Sequence, residues 1–194
     1  MKIWIASLLA MSAMGLMAQA PTTPAPAAHA PSGPGLTLTT TAFTDGGIIP
    51  DKYTMAVTGD AVSPALAWDH VPDGTVSFVL TVRDPDTSVK RKTDEVLHWL
   101  FFNIPATARA LPEGIPAEAQ RPDGAIQALN QKNKVGYMGM GAPAVGPYHH
   151  YLFALYALDT KLDLGPDATL PDVQNAMQGH ILGKGVLIGL FHMP

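Results

Sequence analysis

From Leu36 onward the chain is a succession of short runs rich in β-branched, aromatic and aliphatic residues, separated by turn-forming residues. Several runs alternate in polarity with a period near two, which is typical of β-strands. No repeat of solenoid or propeller length is visible. We therefore predict a mostly β protein, a largely antiparallel β-sandwich. The predicted strands are LTLTTTAF (36–43), YTMAV (53–57), VSFVLTVR (76–83), EVLHWLFFNI (95–104), HHYLFALYAL (149–158) and GVLIGLFHM (185–193).

One segment near the C-terminus has helical spacing instead. Thr169, followed by Pro171 and Asp172, is typical of a capped helix start. Gly179 or Gly183 should end the helix. We predict a single C-terminal helix that leads into the last strand. Its apolar positions are Leu170, Val173, Ala176, Met177 and Ile181.

Residues 1–20 have the composition of a secretory signal peptide, with Lys2, an apolar stretch and small residues at Ala18 and Ala20. Cleavage after Ala18 and cleavage after Ala20 both remain open. The apolar run is short for a bilayer span, so no stable membrane anchor is expected. Residues 21–35 form a Pro/Ala-rich linker, and residues 36–194 form one domain. We expect a periplasmic or secreted protein.

The composition excludes several classes of protein. Hydrophobic residues make up 47% of the chain, enough for one packed core, and there are no cysteines for disulfides or thiolate metal sites. Without Lys2, the cleaved chain has 11 Lys and Arg against 16 Asp and Glu, a net charge of −5. A mildly acidic chain without a basic surface is not expected to bind nucleic acid.

Two predicted strands place acidic and imidazole side chains close together. Asp84 and Asp86 follow the strand VSFVLTVR, and His98 lies near the start of the next strand. If these strands are antiparallel neighbours, Asp84 and His98 lie at the same end of the sheet. A period of two would put His98 on one face with Leu100, Phe102 and Ile104.

The adjacent histidines of HHYLFALYAL should point in opposite directions. By strand alternation His149 shares a face with Tyr151, whereas His150 shares the other face with Leu152. Only His149 can therefore join a site that contains Tyr151. His150 is predicted to be a structural or rim residue.

Metal binding and hydrolysis are weaker alternatives. The spacing of Asp84, Asp86 and Ser88 imitates a calcium loop, but Val89 stands where the turn requires glycine, and the cations 90–92 follow. Two histidines and a carboxylate leave zinc possible. No motif of a known hydrolase is present, and we predict no catalytic residues, cofactor or metal.

Anion binding fits these residues better. Gly139, Gly141 and Gly146 allow a backbone to approach a ligand, and an imidazolium donates hydrogen bonds to phosphate or carboxylate oxygens. Cations in the two loops that lead to the histidines should form a positive rim. These cations are Lys90, Arg91, Lys92, Lys132 and Lys134.

Five motifs in this order resemble the phosphatidylethanolamine-binding protein family, especially its bacterial Raf-kinase-inhibitor-like branch. They are SPALAW (63–68), DPD (84–86), HW with NIP (98–105), LPEG (111–114) and GAP with GPYHHY (141–151). The resemblance implies a β-sandwich with a small anion pocket at one end. It also implies the ligand-binding residues Asp84, Asp86, His98, Gly141, Pro143, His149 and Tyr151. Ala142 and Ser88 depart from the family pattern and bear on ligand choice.

We therefore expect a non-enzymatic, exported binding protein for a small anionic or zwitterionic ligand, a phosphorylated or carboxylated head group such as phosphoethanolamine. The two aspartates should orient the imidazoles and raise their pKa values, so anion affinity should weaken as the pH rises through the imidazole range. The alternative is a protein target, namely inhibition of an envelope protease or a kinase through surface loops.

Overall fold

The computed structural model describes residues 35–87, 93 and 95–194. The predicted signal peptide and the predicted linker up to residue 34 lie outside these ranges. So do Lys90, Arg91 and Lys92 of the predicted positive rim. Within the described ranges, no helix has the length and apolar character needed to cross a bilayer.

The described part of the chain consists mainly of β-strands with one α-helix, as the sequence predicts. The strands are β1 (Thr37–Thr39), β2 (Gly47–Ile48), β3 (Leu66–Asp69), β4 (Ser77–Asp84), β5 (Val96–Pro105), β6 (Ala110–Leu111), β7 (Ile126–Gln127), β8 (His149–Leu158) and β9 (Ile181–Phe191), and the helix is α1 (Leu170–Met177).

These strands form two sheets, with the orders β1-β3-β6 and β2-β9-β8-β4-β5-β7. All the strand pairs are antiparallel except the short β2, which is parallel to β9. Because β4 is antiparallel to both β5 and β8, the C-terminal end of β4 and the N-terminal ends of β5 and β8 lie at the same end of the sheet. The candidate site lies at this end.

The core lies on both faces of the six-stranded sheet. On one face Leu38 and Trp68 of the small sheet join a cluster with Leu80, Phe101 and Phe153. On the other face, residues of α1 pack against β4 and β5. Because both faces are covered, β4 and β5 are apolar almost throughout.

The helix begins where the sequence predicts. Thr169 Oγ1 accepts a hydrogen bond from Asp172 N, and Asp172 Oδ2 accepts one from Thr169 N, which is a capping box. The chain reverses direction at Gly179, whose φ is +83°. The assignment of Ile181 to the helix is therefore wrong, since this residue begins β9.

The predicted strand YTMAV is also wrong. Tyr53 ends a short 3₁₀ helix, Asp51–Tyr53, and Thr54 makes only an isolated bridge to Met140. The main chain and the hydroxyl of Thr54 both donate to Asp51 O at 2.8 Å. These local hydrogen bonds form a turn instead of a ladder.

Strand β5 contains two irregularities that sequence alternation does not reveal. Its register with β4 shifts between Trp99 and Leu97, which leaves His98 as an extra residue, and shifts again near Asn103. Asn103 has φ +55°, and its side-chain amide exchanges two hydrogen bonds with the backbone of Leu162. The predicted common face of His98, Leu100 and Phe102 is therefore wrong. Leu100 and Phe102 pack toward α1, whereas the His98 ring contacts Tyr151 on the opposite face.

Candidate functional site

A cavity of about 370 Å³ opens at the end of the sheet where β4 ends and β5 and β8 begin. All the predicted ligand-binding residues line it except Asp86. The lining also includes residues that sequence reasoning did not assign to the site. The complete lining is Met55, Asp84, Thr87, Val96, His98, Gln131, Lys132, Met138, Gly141, Ala142, Pro143, His149 and Tyr151.

Asp84 organises the polar side of the cavity. Its side chain is 5% exposed, and its Oδ2 lies 2.9 Å from His149 Nδ1. The same carboxylate accepts hydrogen bonds from Asp86 N at 2.9 Å and from Thr87 Oγ1 at 3.2 Å. One buried aspartate therefore fixes both the turn after β4 and the imidazole of His149.

The contact with Asp84 also determines which ring nitrogen of His149 can serve a ligand. An ionised carboxylate only accepts hydrogen bonds, so Nδ1 of His149 carries a proton. Nε2 then remains for the ligand, and it becomes a donor when the ring is protonated. A protonated His149 beside a buried carboxylate can donate to an anion in the cavity.

Asp86 takes a different partner from the one expected. Its Oδ2 accepts hydrogen bonds from His150 N at 2.6 Å and from His150 Nδ1 at 2.9 Å. Partial burial pushes the pKa of Asp86 upward, but these hydrogen bonds outweigh it and lower the pKa below the ordinary value. The predicted orientation of site imidazoles by both aspartates is therefore corrected: Asp84 orients His149, and Asp86 binds His150 outside the cavity lining.

His98 is 2% exposed and differs electrostatically from the prediction. Burial lowers its pKa, and the carbonyl of Met138 and the charge of Asp84 only partly oppose this effect. The expected rise in pKa is therefore wrong for His98. Nδ1 lies 2.9 Å from Met138 O, and a carbonyl only accepts, so Nδ1 is the donor. In the neutral ring Nε2 is then a hydrogen-bond acceptor.

Tyr151 lines the cavity together with His98 and His149. Its hydroxyl oxygen accepts a hydrogen bond from Ala142 N at 3.1 Å, and its ring packs edge-on against the ring of His98. Burial, followed by the charge of Asp84, raises the pKa of Tyr151 well above its ordinary value. The phenol therefore keeps its proton and remains a potential donor.

The loop of Gly141 to Pro143 forms one wall. A Cβ on Gly141 would lie 2.6 Å from Met55 Sδ, so glycine lets the Met55 side chain pack directly against this loop, and a larger residue would displace it. Ala142 is held on both sides, because its N–H donates to Tyr151 and its carbonyl accepts from Met193 N at 3.0 Å. This wall is fixed by backbone contacts that do not depend on the side chain at position 142.

Lys132 is the described member of the predicted positive rim that reaches this cavity. Its Nζ lies 3.5 Å from Met55 Sδ, and both residues line the opening. Sequence reasoning missed Met55 because its segment resembles a strand. The sequence did indicate Lys132, because it is one of the cations in the loops that lead to the histidines.

The lining of the cavity is mostly apolar, with a few polar and charged side chains that include Asp84, His98 and His149. In the described part of the chain, no group of three or more His, Asp and Glu residues is placed to hold a metal ion. Glu95, which stands at the twelfth position of the calcium-like spacing that begins at Asp84, forms an ion pair with Arg83 at 2.7 Å. The arrangement can bind an anion through His149 and Tyr151, and a hydrogen-bond donor through His98.

Comparison with known proteins agrees with this architecture. Residues 39–192 match the model of the family described as phosphatidylethanolamine-binding protein. A UPF0098 protein of Methanothermobacter thermautotrophicus is 44% identical over 156 residues, which cover 80% of this chain and 98% of the relative. The structure of a Chlamydia trachomatis homologue of phosphatidylethanolamine-binding protein is 34% identical, with a TM-score of 0.71 over 82% of this chain and 99% of that one. The structure of Escherichia coli YbcL, described as a member of the mammalian family, is 27% identical, with a TM-score of 0.71 over 83% of this chain and 100% of that one.

Proposed function

The chain belongs to the phosphatidylethanolamine-binding protein family, and from this premise we propose that it binds a small phosphorylated or carboxylated molecule, or such a head group, in the cavity of Asp84, His98 and His149. The observation that carries the proposal is the buried Asp84–His149 pair, with 2.9 Å between carboxylate and ring nitrogen, beside the hydroxyl of Tyr151. Export to the periplasm or beyond is part of the proposal and rests on residues 1–20.

The charges of the cavity favour an anion that also carries a donor. His149 in its protonated form, the Tyr151 hydroxyl and Lys132 can all contact a phosphate or a carboxylate. Asp84 opposes a highly charged anion because its own charge is buried nearby. A monoanion or a zwitterion is therefore favoured over a bare phosphate dianion.

The ammonium of a zwitterion needs an acceptor inside the cavity. Asp84 already accepts three of the roughly four hydrogen bonds that a carboxylate can take, and Asp86, which is bound to His150, does not line the cavity. Neutral His98 offers Nε2 as an acceptor instead, because its Nδ1 is committed to Met138. A head group like phosphoethanolamine would place its phosphate toward His149 and its ammonium toward His98.

Binding without turnover is favoured by the position of the Thr87 hydroxyl. Thr87 Oγ1 lies 3.3 Å from Nδ1 of His149, the nitrogen already directed at Asp84, and donates to that carboxylate. Nε2, the nitrogen that could accept a proton from a nucleophile, faces away from this hydroxyl. Phosphoester turnover that disappears in His98→Ala would overturn this part of the proposal.

Titration calorimetry with O-phosphoethanolamine and with dimethyl phosphate, whose single charge is independent of pH near neutrality, tests the proposal. His149→Gln should weaken binding by about tenfold or more, since a hydrogen bond to a charged group contributes about 1.5–3 kcal/mol. His150→Gln, the matched control on the outer face, should change affinity less than about twofold.

The pH provides a second readout of the same titration. Dimethyl phosphate affinity should be weaker at about pH 8 than at about pH 5.5, because only the protonated ring of His149 has a donor on Nε2. Equal effects of the two histidine variants, or an affinity that stays flat over this range, would contradict donation by a protonated His149. Inhibition of a protease or a kinase stays a hypothesis of the sequence alone.

A further inference from the structure

A second and larger cavity, of about 540 Å³, adjoins the first. Met55, Lys132 and Met138 line both cavities and so form the wall between them. The contact of Lys132 Nζ with Met55 Sδ, at 3.5 Å, lies in this wall. Both side chains are unbranched and flexible, so the wall can open without a change in the backbone.

The loop that carries Lys132 and Lys134 is held rigidly by Asn130. This asparagine is 5% exposed, and its Oδ1 accepts hydrogen bonds from the backbone N–H of Lys132 at 2.9 Å and of Lys134 at 3.3 Å. Its Nδ2 donates to Gly136 O at 3.0 Å. The two lysines are therefore presented by a preorganised turn, so placing their backbone at a ligand costs little conformational entropy.

The charge of the second cavity is locally positive in an acidic protein. Its lining contains Lys132 and Lys134, with Asp60 as the acidic side chain. In the ranges that the structure describes, neither lysine lies within ion-pair distance of a carboxylate. The full chain has a net charge of −4, so two lysines at one cavity form a local positive region that favours an anionic ligand.

We propose that this second cavity, here called the lysine groove, binds the second acidic group of an elongated small molecule whose first anionic group occupies the His149 cavity. The inference rests on the proposed function, because the His149 cavity must hold the first group. The methionines of the shared wall suit the methylene chain between the two acids, and Lys134 meets the far end. The ligand class is therefore a small molecule with two acidic groups joined by a flexible spacer.

Calorimetry at low ionic strength with α,ω-alkanediol bisphosphates of increasing spacer length tests this proposal. It is done at about pH 5, below the second pKa of about 6 of a phosphate monoester, so that each phosphate is mainly a monoanion. Each bisphosphate is compared with the alkyl monophosphate of the same length. At the matching spacer length the bisphosphate should bind about fivefold tighter than the monophosphate, after correction for its two equivalent ends, since an exposed ion pair contributes up to about 1 kcal/mol. Lys134→Gln should remove this gain, whereas Lys161→Gln, a lysine outside both cavities, should retain it.

The outcomes separate the two proposals. If the monophosphate binds with an affinity that depends on His149, but no bisphosphate binds tighter, the lysine groove is overturned while the first site stands. A gain that persists in Lys134→Gln also overturns the lysine groove. If neither ligand responds to His149→Gln, the proposed function itself fails.

Discussion

His149 and His150 are neighbours in the chain, and each ring has Nδ1 2.9 Å from an aspartate oxygen. Their surroundings are nevertheless opposite. The His149 side chain is 15% exposed and its partner Asp84 is 5% exposed, whereas the His150 side chain is 57% exposed and its partner Asp86 is 39% exposed. The direction of alternation along β8 is what separates an inner pair from an outer pair with nearly the same geometry.

The comparison teaches that geometry alone does not decide the role of an Asp–His pair. Water screens the outer pair, and exposed ion pairs of this kind contribute about 0–1 kcal/mol. The inner pair lies in a poorly screened cavity wall, where loss of one partner leaves a buried polar group unsatisfied. The inner pair is therefore placed to stabilise the fold, and in the proposed function it also directs Nε2 of His149 at the ligand.

The largest difference between the pairs should be in stability. Asp84→Asn should reduce the free energy of unfolding by about 2–3 kcal/mol. Asp84 accepts hydrogen bonds from Asp86 N, Thr87 and His149 on its two oxygens, whereas the amide of asparagine has one acceptor oxygen and an NH2 group that only donates. Asp86→Asn should cost less than about 1 kcal/mol. Urea denaturation of both variants, monitored by tryptophan fluorescence, measures this difference.

The two variants make the same change from carboxylate to amide, at sites that differ in burial and in the number of hydrogen bonds that the carboxylate accepts. High salt should leave the cost of Asp84→Asn nearly unchanged and should reduce the small cost of Asp86→Asn. Similar losses of stability in the two variants would show that Asp84 is not the anchor of the turn and the imidazole.

The separation of the two histidines follows from the sequence because β8 is regular. Its register with β9 runs without a shift from His149 to Ala157, so a period of two holds and His149 shares a face with Tyr151. The capping box of α1 is equally local, and the sequence predicts it correctly. Regular ladders and caps depend on neighbouring residues, and these are visible in a sequence.

The mistaken predictions concern contacts between distant segments. The extra residue at His98 depends on pairing with β4, and the second irregularity depends on the hydrogen bonds of Asn103 with Leu162. The hydrogen bonds between Asp86 and His150 depend on the conformation of the turn after β4, and the order of the motifs in the sequence does not reveal that conformation. Lys132 and Met55 meet at the cavity although they are far apart in the chain.

A smaller difference should separate the tyrosines on the two sides of the histidine pair. Tyr151→Phe should cost about 1–2 kcal/mol of stability, since the buried N–H of Ala142 loses its acceptor at 3.1 Å. Tyr148 is 44% exposed and its ring contacts the His192 ring, which phenylalanine would retain, so Tyr148→Phe should change stability by less than about 0.5 kcal/mol. Thermal and urea denaturation of both variants check this, and a Tyr151→Phe protein as stable as the wild type would show that the Ala142 N–H finds another acceptor.

The smallest expected effect concerns His98 and the dependence of stability on pH. Burial lowers the pKa of His98 in the folded protein, so between that value and about 6.5 the unfolded chain binds a proton that the folded protein does not. The contribution of neutral His98 to stability is therefore fully present above about pH 6.5 and is lost as the pH falls through that window. Between pH 7.5 and pH 5, each about one unit or more from 6.5, the urea midpoint of the wild type should fall more than the midpoint of His98→Gln does.

His150→Gln is the control and should follow the wild type, since the comparison is between slopes and does not depend on how stable each variant is. Parallel slopes for wild type and His98→Gln would mean that burial does not suppress protonation of His98, and the assignment of its Nε2 as an acceptor would then be wrong.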